Sequence, residues 1–164
     1  MKFLKTSVLA LAAVFAVGNL ASAETTVPTT GHAVTAVTSS TVTPLTDGST
    51  LIKQTSHGFW IEDPSAANFP SEKVADCNGT LLLSAEGAPI VFKGVCSVTD
   101  IDGDVWVAAF GATKPDFSDC TWAMHGGTGK YAGVTGSGLC MSGGPITKDG
   151  NNSKFSWTGE WVLP

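Results

Sequence analysis

Two pairs of cysteines constrain this chain more than any other feature in it. Cys77 and Cys96 stand at equal distances on either side of Glu86-Gly87, and Cys120 and Cys140 at equal distances about Lys130, inside the glycine-rich stretch from Gly126 to Gly138. Both pairs are flanked by runs of strand-forming residues, so each reads as two antiparallel strands joined by a turn. In the first hairpin, the register that sets Cys77 against Cys96 also sets Gly79 against Gly94, Leu81 against Phe92 and Leu83 against Ile90. Apolar then faces apolar on one side of the ribbon, and a slip of one residue would turn every side chain to the other face. In the second hairpin Cys120 meets Cys140, while Trp122 and Met124 lie opposite Gly138 and Gly136, large side chains filling the space that glycine leaves. We expect two disulfides, Cys77 with Cys96 and Cys120 with Cys140, each within one hairpin.

The remaining sequence follows the same pattern. Candidate strands run through Leu51 to Phe59, Cys77 to Ser84, Pro89 to Val98, Val105 to Gly111, Asp119 to Met124, Val134 to Ser142 and Lys154 to Leu163, separated by clusters of Gly, Pro, Asp and Asn. No run has the 3.6-residue period of a helix, and short strands at such spacing build an antiparallel sandwich or barrel. Asp100-Ile101-Asp102-Gly103-Asp104 is a hairpin turn, and Asp63 to Lys73, with two prolines, is a loop. The last strand alternates, with Phe155, Trp157, Gly159 and Trp161 facing a core and Lys154, Ser156, Thr158 and Glu160 facing solvent.

The N-terminus has a different composition. Residues 1–23 have the form of a secretory signal peptide: a basic start with Lys2 and Lys5, a short apolar middle and Ala21-Ser22-Ala23 as a cleavage site. The apolar run is too short to span a bilayer. An exported chain meets oxidising conditions, which suits disulfides, and we expect the periplasm or the extracellular medium as its location. Residues 24–48, rich in Thr, Val and Ser, read as a linker or a weak edge strand, and residues 49–164 as the barrel domain. Without the leader, fourteen acidic residues face seven lysines and no arginine. That balance argues against nucleic acid, whose phosphates require a basic surface, and against an anionic membrane surface.

Candidate chemistry is sparse. His125-Gly126-Gly127-Thr128-Gly129-Lys130-Tyr131-Ala132-Gly133 has the composition of a phosphate loop, but Met124 stands where the first glycine of a P-loop belongs, and Tyr131 follows the lysine in place of Ser or Thr. No helix follows, so the stretch reads as a hairpin connection whose tip offers Lys130 and Tyr131 to a partner. Asp100, Asp102 and Asp104 resemble part of a calcium loop, yet Gly103 is fourth rather than sixth and Gly111 occupies the twelfth position. They are a weak calcium candidate against the simpler reading of a solvated turn. The spacing of the cysteines and histidines fits no zinc site, no nucleophile motif is present, and we expect no cofactor. The five tryptophans and eight phenylalanines either fill a barrel or line an apolar pocket at its mouth, and in a barrel this small we expect them mostly to fill it. His57, Trp60 and Trp122 are the candidates for contact with a small ligand.

The stretch "GGTGKYAGVTGSG", with the preceding "TWAM" strand, the Cys77-x-Gly79 and Gly94-x-Cys96 pattern and "DIDGD", resembles exported bacterial members of the allene oxide cyclase barrel-like group, to which dirigent proteins are more distantly similar. The resemblance covers roughly Leu51 to Trp161. It implies a closed antiparallel β-barrel of eight strands, the eighth drawn from Thr35 to Val42 or from a second run near Phe59. Plant members of the group guide cyclisation or radical coupling of apolar and phenolic molecules inside the barrel, but none of their functional residues can be matched to a position here. The expected function is a non-catalytic binding or interaction barrel, with a small apolar or aromatic ligand. The alternatives are a cofactor-independent cyclase or isomerase using His57 or Glu62, and a surface- or host-directed factor acting through its loops.

Overall fold

The computed structural model describes residues 24–63 and 67–164; the expected signal peptide lies outside them. Eight strands follow one another: β1 (Thr25–Pro44), β2 (Thr50–Glu62), β3 (Glu72–Leu83), β4 (Pro89–Asp100), β5 (Val105–Ala112), β6 (Thr121–Gly127), β7 (Thr135–Pro145) and β8 (Asn152–Leu163). Each is hydrogen-bonded antiparallel to the next, and β8 returns to β1 to close the barrel. Closure leaves the barrel wall without a free edge, the usual hazard of an open sheet. The helical content among the described residues is one 3-10 turn, Gly129–Tyr131, and no helix is long and apolar enough to cross a membrane.

The cysteine hairpins have the expected registers. Cys77 faces Cys96, Gly79 faces Gly94 and Leu81 faces Phe92 across β3 and β4, and the disulfide joins the first pair. Trp122 faces Gly138 and Met124 faces Gly136 across β6 and β7, with Cys120 bonded to Cys140. The first register shifts at its end, where Leu83 pairs with Pro89 rather than Ile90. A three-residue loop, Ala85-Glu86-Gly87, takes the place of a two-residue turn: the Ser84 N–H donates to Ala88 O at 2.8 Å and Gly87 adopts a φ of 84°. Such loops put a left-handed glycine at their third position and displace the pairing by one.

Residues 24–48 are neither a linker nor an edge. They hold β1, the longest strand, paired with β8 through Thr25–Ala36 and with β2 through Gly31–Pro44. The barrel therefore begins near Thr25, ahead of the boundary expected at residue 49. Its inward positions include Thr29, Gly31 and Ala33, small residues that give little apolar signal. They are small because aromatic rings lie opposite, and a Cβ on Gly31 would collide with the Trp157 indole.

Alternating strand direction gathers the β2–β3, β4–β5 and β6–β7 connections at one end, the base, and the other four connections at the rim. All five tryptophans are buried, from 1% exposure at Trp161 to 8% at Trp122. Around the base the interior is solid, with Trp161, Tyr131, Val98 and Val134 almost completely enclosed. Toward the rim a cavity remains beside this core, so the aromatic side chains, expected mostly to fill the barrel, both pack its interior and line a pocket. Trp60 of β2 and Trp106 of β5, three strands apart, meet across the interior with ring centres 5.8 Å apart, and with Trp122 and Trp157 they floor the cavity.

Candidate functional site: an aromatic cup above a sealed base

Two polar clusters hold the base shut. Glu62, at the end of β2, is 3% exposed, and its side chain accepts hydrogen bonds from Thr29 Oγ1 at 2.7 Å, Trp161 Nε1 at 2.7 Å and Lys73 Nζ at 2.6 Å. Lys73 donates as well to the carbonyl of Pro70, tying the β2–β3 loop to the barrel wall. Every polar atom of this enclosed pair that needs a partner has one, which is what makes burying two charges tolerable.

The second cluster joins two turns. Asp100, Asp102 and Asp104 of the β4–β5 turn converge on Lys130 of the β6–β7 connection, with Nζ at 2.7, 3.0 and 2.8 Å from their respective carboxylates. The Asp100 side chain is wholly buried, and its Oδ1 accepts from the backbone N–H groups of Asp102 and Asp104. Burial works against ionisation of Asp100, but Lys130 and these backbone donors outweigh it and hold its carboxyl below the usual carboxylate range. Hydrogen bonds from Lys130 depress Asp104 likewise, and Asp100 and then Asp104 push the Lys130 ammonium up. Tyr131 is fully enclosed, its ring 4.7 Å from that of Phe69. Burial and then the charge of Asp100 push its phenol upward, although its hydroxyl finds no partner at hydrogen-bonding geometry.

Two expectations change here. The carboxylates weighed as a calcium loop hold a lysine, and among the described residues no group of His, Cys, Asp or Glu is arranged to hold a metal. Lys130 and Tyr131 are not the free tip of a loop, because one is engaged by three carboxylates and the other is core. The partners of Lys130 lie on a turn about thirty residues away in sequence, and the shared end of the barrel brings the two connections together.

The cup occupies the rim half, with a cavity of about 220 Å³. Trp60, Trp106, Trp122 and Trp157 form its lower wall; Trp60 lies 5.8 Å from Trp106 and 5.1 Å from Trp157, ring centre to ring centre. Phe92, Phe110 and Phe117 form a second group, with Phe92 at 5.2 and 5.7 Å from the other two, and Phe155 packs edge-on against Trp60. Both disulfides lie in the lining, because the paired cysteines face inward. Polar groups among the described residues are few: Thr35, Gln54, Ser56, Ser142 and Ser153, with Lys154 bordering the opening from the outward face of β8. Thr35 and Ser153 hydroxyls bond one another at 3.0 Å.

Of the residues singled out from sequence, the cup brings together Trp60 and Trp122, along with the four cysteines. His57 is elsewhere. It stands on the outer face of β2, half exposed, with Nδ1 2.8 Å from Asp76 Oδ1. Strand geometry alone separates it from Trp60, since residues three apart on a strand face opposite ways. Glu62 does face inward, but below the cup and enclosed by its own partners. Sequence reading missed Trp106, Phe110 and Gly79 as cup residues. The alternation Trp106, Ala108, Phe110 along β5 and the placing of Gly79 two residues after Cys77 carry that information.

The architecture is a closed antiparallel barrel with an aromatic cup at one end. Compared with family models, curated proteins and solved structures, the chain gives no match. What the site does has to follow from its own geometry.

Proposed function

We propose that this protein is an exported, non-catalytic barrel that binds a small apolar or aromatic molecule in the cup. The observation that carries the reading is an apolar cavity of about 220 Å³ walled by four indoles at the rim of a barrel whose other end is closed. Ligand sites have this composition, mostly apolar and aromatic with a few polar groups. The volume sits between the roughly 150 Å³ that takes up a benzene and the 300 Å³ or more of drug-sized sites, so a molecule of one or two rings fits. Two disulfides and the leader-like N-terminus support export. The resemblance to allene oxide cyclase-like barrels agrees with a ligand held inside.

Binding is favoured over cyclisation or isomerisation because the two groups considered as acid or base do not reach the cup: His57 is outside the wall and Glu62 is bonded within the base. The test is native mass spectrometry together with tryptophan fluorescence against a panel of neutral compounds of one to four rings and short alkanes. One-to-one complexes with altered emission are expected for compounds of one and two rings, weakening as size exceeds the cup. Absence of any complex across the panel would overturn the reading.

A further inference from the structure

The five indoles are not equivalent as hydrogen-bond donors. Trp122 donates its Nε1–H to the carbonyl of Thr158 at 3.2 Å, and Trp161 donates to Glu62 Oε1 at 2.7 Å. Trp60 and Trp106 are 7% and 2% exposed, their nitrogens are shut off from water, and neither N–H meets an acceptor among the described residues. Indole N–H is a donor only, and buried donors nearly always have a partner. Two such orphans in contacting rings, on strands β2 and β5 and both in the lining of one cavity, are a local feature of the cup. The third orphan, the Tyr131 hydroxyl, is in the base.

The other groups around the cavity point to the same chemistry. Among the described residues no carboxylate or imidazole lines it, Lys154 borders it from the outward face of β8, and two of its hydroxyls are already committed to each other, so the unpaired indole N–H groups are its distinctive polar feature. In a chain with an excess of acidic residues, the cup presents donors.

Resting on the reading of the cup as a ligand site, we infer that its ligand is an aromatic molecule carrying a hydrogen-bond acceptor, a carbonyl or equivalent oxygen, and that Trp60 or Trp106 donates to it. Because both nitrogens are covered, the rings turn as the ligand enters, and binding changes the environment of the tryptophans. An acceptor that satisfies a donor otherwise left unpaired gains more than one that trades water for protein. The cup therefore discriminates between molecules of the same shape by the presence of an oxygen.

The experiment compares 1-indanone with indane, which share a fused two-ring body and differ by one carbonyl, by isothermal titration calorimetry on the disulfide-intact protein. On the order of tenfold tighter binding of 1-indanone is expected, the size of effect that one newly satisfied buried donor gives. Trp60→Phe and Trp106→Phe keep an aromatic ring and remove the donor; the affinity for both probes shifts as the wall changes, but the ratio of 1-indanone to indane affinity is expected to fall to about one in the double variant, with its circular dichroism showing that the barrel is folded. Difference infrared spectra of bound 1-indanone should show its carbonyl stretch lowered in the parent and restored in the double variant. Equal affinities in the parent, or a preference that survives in the double variant, would overturn the inference and leave the cup a simple apolar site. Failure of both probes to bind would remove this inference together with the reading on which it rests.

Discussion

The ammonium of Lys130 lies 2.7 Å from Oδ2 of Asp100, and this contact locks the β6–β7 connection onto the β4–β5 turn. Asp100 has no exposure of its side chain, so Lys130 is what makes its charge tolerable there. Lys130→Met should lower the urea midpoint of unfolding clearly, and Asp100→Asn in the same chain should restore part of the loss, since the uncompensated charge is then gone. Equal stability of parent and Lys130→Met would show that the clamp contributes nothing.

The same cluster sets a pH dependence. Asp100 and Asp104 are held below the ordinary carboxylate range, so their contribution is complete above about pH 4 and is lost as pH falls through their lower folded values. Lys130 and Tyr131 are both pushed up, so their contribution is complete below about pH 10 and fades as pH rises beyond it. Urea midpoints measured from pH 2 to 11 should form a plateau with falling limbs at both ends. In Lys130→Met both limbs should be shallower; unchanged limbs would place the titrating groups elsewhere.

Lys73 and Glu62 are a fully enclosed pair, with side chains 2% and 3% exposed. Lys73→Met leaves the carboxylate buried with only Thr29 and Trp161 as donors. The expected loss is about 3 kcal/mol, the low end for breaking a buried pair because two hydrogen bonds remain. Equilibrium unfolding measures it, and a loss below ~1 kcal/mol would mean that the base relaxes to admit water.

Trp122 lies over the facing glycines Gly138 and Gly159; a Cβ on Gly138 would collide with the Thr158 carbonyl oxygen and approach Trp122 Nε1 to 2.8 Å, and one on Gly159 would collide with the Ser137 carbonyl oxygen and approach Trp122 Cζ2 to 2.7 Å. Gly138→Ala should therefore destabilise by roughly 1 to 3 kcal/mol, as overpacking does, and should alter the near-ultraviolet circular dichroism of the indoles. A neutral Gly138→Ala would show that the backbone of β8 at Thr158, as well as the ring, has room to move.

The parts of this fold legible in the sequence are those set by neighbours within one hairpin. The Cys77–Cys96 and Cys120–Cys140 pairs, the seat of Trp122 on Gly138 and the inward face of β8 all follow from alternation and a turn. β1 escaped because its inner positions, Thr29, Gly31 and Ala33, are selected for smallness under aromatic rings and so lack the apolar alternation that marks a strand. The Lys130 cluster escaped because it joins two turns that only the closed topology brings together. The position of His57 outside the wall was available from parity with Trp60, and the cavity was not, because whether rings fill or line a barrel depends on their rotamers.

Gly79 offers the most direct test of the cup as a binding site. It lines the cavity, and a Cβ there would meet only Phe92 Cε2 at 3.6 Å, Gln54 Cγ at 3.8 Å and the Lys93 carbonyl at 3.8 Å, ordinary contacts. The backbone thus accepts a Cβ at this position, Gly79→Leu directs a branched side chain at the cavity, and replacing a strand glycine should hold or raise stability. Calorimetric titration of this variant with 1-indanone and indane is the decisive measurement. A folded protein of parental or higher melting temperature that binds neither is expected; parental affinity in a folded Gly79→Leu would place any binding outside the cup and contradict a ligand site there.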